Sequence, residues 1–179
     1  PIVGTEKQSE ELVRYHFQPI VSAHDGHVVA YEALMRPQLP TLRSPLTVMQ
    51  LASEMGRLYD IEKLTFFRAC ECYEELEAAG KLDADALIFV NSIASVSLSD
   101  EDWASYCEAH SAILPKLVVE ITEEEEMNER ELERKRNVPG SSGVFALDDY
   151  GSGYSNGNSL LTIAPKYVKV DIAIIRGID

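Results

Sequence analysis

ALIFVN (86–91), KLVVEIT (116–122), GVFALDD (143–149) and YVKVDI (167–172) are four short, almost continuously apolar runs rich in β-branched residues. Runs of this length and composition predict parallel strands covered on both faces. Each carries a polar or acidic residue at or near its C-terminal end: Asn91, Glu120, the pair Asp148–Asp149, and Lys169 with Asp171. Upstream, YHFQPIV (15–21) and HVVAYEALM (27–35) flank AHDG (23–26), whose Asp-Gly pair predicts a turn, so these two read as an antiparallel hairpin. The second of them contributes Glu32.

Between the strands the hydrophobic period changes to that of helices. Residues 44–80 read as two helices, opened by Ser44 and Pro45 as cap and first-turn pair and closed by Gly80. Residues 98–113 read as a third, with Ser99 as its cap and acids in its first turn. Residues 123–136 read as a charged helix with acids early and bases late, and Glu124 to Glu126 as a solvated face. Strand–helix–strand alternation on this scale implies parallel β/α units, in a barrel or an open doubly wound sheet.

Composition narrows the function. With 179 residues, 45% hydrophobic and 26% charged, the chain fits one globular domain and is too short to argue for two. A formal net charge of -14 argues against binding a nucleic-acid polymer. No run is apolar enough to cross a bilayer, which predicts no membrane segment and a cytoplasmic domain, the parent protein being free to be anchored elsewhere. Residues 1–11 are expected to be a linker or tag remnant, with the domain over 12–179. Cys70, Cys72 and Cys107 have no metal-site spacing and are expected to be reduced.

Carboxylates are depleted in strands and costly to bury without a partner, so a series of them at equivalent strand ends points to a shared site. The C-terminal mouth of a β/α fold is where barrel enzymes place their reactive groups. Three or four carboxylates with an amide carbonyl make a hard-oxygen set suited to Mg²⁺ or Mn²⁺. Cations would also let an acidic protein take a phosphorylated ligand. Adjacent Asp148 and Asp149 face opposite ways on a regular strand, but a backbone turn at the strand end would let one of them bridge to a second metal. Singly, each residue has a plainer reading: Lys169 as a surface lysine, Asn91 as a cap, Asp171 as structural.

The motifs, taken together, resemble the EAL domain of cyclic di-GMP phosphodiesterases. The signature is Glu32-Ala33-Leu34 within YEALMR (31–36), preceded by FQPIV (17–21). Asn91-Ser92, VEITE (119–123), DDYGSGYS (148–155) and KVD (169–171) follow in the family's order. The resemblance implies a TIM-like (β/α)8 barrel with an antiparallel first strand, incomplete at the C-terminus in this chain, since about 250 residues are usual for such barrels. It implies that Glu32, Asn91, Glu120 and Asp148 ligate one Mg²⁺ or Mn²⁺ and that Asp149 joins a second. It makes Lys169, Glu32 and Asp149 the catalytic set, with Lys169 contacting or helping to activate the attacking water. Gln18 and Arg36 would touch the ligand, and Glu123 would steady the 148–155 loop. The implied reaction is hydrolysis of cyclic di-GMP to linear pGpG in bacterial second-messenger signalling. A homodimer and an upstream sensor or diguanylate cyclase domain are the implied partners. The alternative is a non-catalytic cyclic di-GMP-binding or regulatory module. The family's later glutamate and glutamine motifs do not occur within these 179 residues.

Overall fold

The computed structural model describes residues 12–39, 44–122, 128–152 and 158–177. Six strands, β1 (Val13–Val21), β2 (Val28–Pro37), β3 (Leu87–Asn91), β4 (Leu117–Thr122), β5 (Val144–Tyr150) and β6 (Tyr167–Val170), form one sheet in chain order. β1 pairs antiparallel with β2, and every later pairing is parallel. This is the hairpin-then-parallel arrangement that the apolar runs predict. The hairpin turns at Gly26, whose φ of 74° lies in the left-handed region glycine favours.

Helices fill the crossovers: α1 (Pro45–Glu54), α2 (Leu58–Ala78), α3 (Asp100–Ala109), α4 (Glu129–Arg136), α5 (Asn158–Ile163) and α6 (Ile172–Ile175). Ser99 caps α3 as expected, its hydroxyl accepting from the Asp102 amide at 3.1 Å. Ser44 does not act the same way. Pro45 opens α1, but the Ser44 side chain makes no capping bond. Of the charged helix expected over 123–136, the described part is α4, capped by the Asn128 side chain, and residues 123–127 lie outside the described residues. Asp171 ends β6 early and caps α6 by accepting from the Ala173 amide at 2.6 Å, in line with its structural reading.

The core has two layers because strand side chains alternate between faces. On the helix side, Ile88, Val90, Leu117, Val119, Ile121, Phe145 and Leu147 meet Phe66, Ala69, Tyr73 and Tyr106. On the opposite face, Ala30, Phe89, Val118 and Ala146 form a second, smaller layer joined by Tyr167. Two residues beyond each of these, on the same face, stand Glu32, Asn91, Glu120, Asp148 and Lys169. The apolar inner layer is thus a floor, and the polar strand ends stand above it. Cys70, Cys72 and Cys107 are free thiols, and Cys70 Sγ lies 3.0 Å from the buried Tyr106 hydroxyl.

Candidate functional site

Register brings the polar strand ends together. Gln18 of β1 lies opposite Glu32 of β2, and Asn91 of β3 lies beside Glu120 of β4. One carboxylate oxygen from each of Glu32, Glu120 and Asp148 lies within 4.8 Å of the other two. The Lys169 ammonium reaches all three, at 3.0 Å from Glu32, 2.9 Å from Glu120 and 3.0 Å from Asp148.

Glu120 carries the electrostatic cost. It is 1% exposed, and both of its carboxylate oxygens are buried without a directed hydrogen bond. Lys169 reaches one of them as a charge. Burial raises the Glu120 pKa, Lys169 pulls it back and the Glu32 and Asp148 carboxylates push it up again, leaving it at about 7. Burial acts the other way on Lys169, but Glu120, Asp148 and Glu32 outweigh it and hold the ammonium firmly protonated. Three converging carboxylates, with the second Glu120 oxygen buried and unpartnered and no soft donor beside them among the described residues, fit a hard divalent cation.

The other expected residues stand around this centre. Asp149 has a φ of 55°, and its amide donates to Asp148 Oδ1 at 3.0 Å. The chain therefore does turn at the end of β5, and Asp149 is exposed outside the three-carboxylate group. Asn91 and Arg36 line a neighbouring cavity of about 320 Å³, walled also by Tyr15, Met35, Leu46 and Met49. Arg36 donates to its neighbour's carbonyl, Met35 O, at 2.9 Å. Gln18 is exposed on the same face as Glu32. Glu123 falls outside the described residues, as does the 1–11 segment.

Residues 5–179 match the family described as "EAL domain". The chain belongs to the EAL domain family. It is 30% identical over 178 residues to the cyclic di-GMP phosphodiesterase NbdA of Pseudomonas aeruginosa, covering 94% of this chain and 22% of that protein. The EAL fold is seen again in the PaMucR phosphodiesterase solved with c-di-GMP, at a TM-score of 0.73 and 24% identity over 94% of this chain and 70% of that one. The Klebsiella pneumoniae BlrP1 manganese/cy-diGMP complex gives a TM-score of 0.72 at 23% identity, over 93% and 42% of the respective chains. This EAL chain spans between about a fifth and a third of the length of the curated relatives it matches. Among its described residues no helix is long and apolar enough to cross a membrane.

One group escaped the sequence reading. Glu62 of α2, Ser92 after β3 and Lys135 of α4 form a buried charged cluster beside Asn91. Lys135 sits in ERKR (133–136), which reads as the late, basic end of a charged helix. Its position three residues after Leu132, the single apolar residue of α4, places both on one helix face and was the available signal.

Proposed function

We propose that this EAL domain is a metal-dependent phosphodiesterase that hydrolyses cyclic di-GMP to linear pGpG. The observation that carries the reading is the convergence of Glu32, Glu120 and Asp148 on one point, with Lys169 as their shared counter-charge. The names of its relatives and the motif order of the chain support the same substrate.

Glu32, Asn91, Glu120 and Asp148 would hold one Mg²⁺ or Mn²⁺, and Asp149, turned outward at the end of β5, would contribute to a second. Bound there, the cations supply charge stabilisation and lower the pKa of water. The protein's own groups do the rest. Lys169 keeps a proton at Nζ and can orient a water or a phosphoryl oxygen by donating to it. Arg36 offers a guanidinium at the cavity wall, suited to paired charge-assisted hydrogen bonds with a phosphate. Gln18 extends the polar rim across β1. The apolar floor of Ala30, Phe89, Val118 and Ala146 excludes water from below. In the reaction the oxygen of water bonds to phosphorus, the bond from phosphorus to the ribose 3′ oxygen breaks, and that oxygen takes a proton. A 5′-phosphate remains, which is pGpG.

The test is incubation with cyclic di-GMP and Mg²⁺ or Mn²⁺, with substrate and product separated by chromatography. The expected result is pGpG that disappears with a chelator and in Glu32→Ala. Retained nucleotide without product would overturn the enzyme reading in favour of a binding module.

A further inference from the structure

We propose that the buried Glu62–Lys135 ion pair is a positioning device for the metal site, clamping the chain just after Asn91 so that β3 and β4 present their end residues at a fixed spacing. The inference rests on the reading of Asn91 and Glu120 as metal-holding residues.

The clamp is built from three elements. The Lys135 ammonium on α4 donates to Glu62 Oε1 at 2.6 Å, to Ser92 Oγ at 2.5 Å and to the Ile93 carbonyl at 2.6 Å. All three of its donors are used. Glu62 on α2 accepts from the Ser92 hydroxyl at 2.6 Å and, through its other oxygen, from the Ile93 amide at 2.9 Å. The Ser92 amide donates across to the Glu120 carbonyl at 2.9 Å. Apart from the Lys135–Glu62 bond itself, these contacts end on the two residues that follow Asn91, or on the strand that carries Glu120.

Burial makes the arrangement demanding. The Lys135 and Glu62 side chains are 0% and 1% exposed. Exchanging such a pair for apolar residues of similar volume is often neutral or stabilising, so fold stability alone gives no reason for two charges here. Position does. Glu62 and Ser92 share a cavity wall with Asn91 and Arg36, so the pair sits next to the strand end that carries Asn91. Outer partners that orient ligating residues typically change metal affinity by about 10–100-fold when removed.

The test compares the unmodified chain with a double variant, Glu62→Gln with Lys135→Met. The amide still accepts from Ile93, no buried charge is stranded, and the ammonium's bonds to Ser92 and Ile93 are gone. Mn²⁺ alone is titrated by calorimetry, and amide exchange is followed at Ser92 and Ile93. The expected result is a folded variant with Mn²⁺ affinity lower by about 10-fold or more and faster exchange at those two amides. Ser92→Ala, which keeps the pair and loses one anchor, should fall in the same direction by less, and it decides the matter if the double variant does not fold. Mn²⁺ binding by the unmodified chain with affinity within twofold in the folded variant overturns the clamp alone. No Mn²⁺ binding by the unmodified chain overturns the metal-site reading and the clamp with it.

Discussion

Replacing Glu120 by glutamine should stabilise the metal-free protein while disabling the proposed metal site. The folded-state pKa of Glu120, about 7, exceeds the ordinary 4.5, so the folded chain holds this proton more tightly than the unfolded chain. Stability from this group is therefore complete below pH 4.5 and is lost as pH rises through 7. Integrated between the two values, the loss is about 3 kcal/mol at pH 8 and about 1.4 kcal/mol at pH 5.5. A neutral amide of the same shape escapes that cost, and its NH2 can donate to the Glu32 or Asp148 carboxylate. For a domain of this size each kcal/mol moves Tm by roughly 2–4 °C. Glu120→Gln is thus expected to melt roughly 6–12 °C above the parent chain at pH 8, and roughly 3–6 °C above it at pH 5.5, in chelator. Adding Mn²⁺ should raise the parent's Tm by mass action and leave the variant's nearly unchanged. Thermal melts followed by circular dichroism at both pH values read all of this. A variant no more stable than the parent at pH 8, or a gap that does not shrink on acidification, would refute the reasoning.

Further expectations follow from named contacts. Lys169→Met removes the ammonium that touches Glu32, Glu120 and Asp148 at 2.9–3.0 Å, so Mn²⁺ should bind more tightly by titration while turnover falls and the metal-free chain melts earlier at pH 8. Gly151 has a φ of 93°, and a Cβ there would overlap the Ile174 side chain, so Gly151→Ala should cost about 1–3 kcal/mol in denaturant unfolding. Ser99→Ala deletes the α3 cap, far from the site, and should cost about 1 kcal/mol with the cyclic di-GMP turnover rate unchanged.

The fold was legible because β3, β4 and the first part of β5 are short and apolar on both faces, a pattern that local sequence carries. The candidate site was legible for the complementary reason. Glu32, Asn91, Glu120, Asp148 and Lys169 interrupt those apolar runs two residues after a floor residue, and period-two geometry alone puts them on one face. What stayed hidden depends on pairing between distant segments. Lys135 reads as part of the basic end of its own helix, and only its meeting with Glu62, 73 positions away in the chain, makes its burial possible. Ser44 does stand at the cap position before Pro45, but whether its side chain makes the bond its type allows was not written in the local sequence. The direction of Lys169 is likewise a tertiary outcome. Its strand position pointed to the site, but not to its role as the common partner of three carboxylates.

The most direct test of the account is an anomalous-difference map from crystals grown with Mn²⁺. The prediction is a peak held by the carboxylates of Glu32, Glu120 and Asp148, with the Asn91 side chain turned towards it and the Lys169 ammonium moved off the three oxygens it now touches. No peak at that point, with Lys169 still seated among the carboxylates at saturating Mn²⁺, would contradict the claim that this cluster is a metal centre.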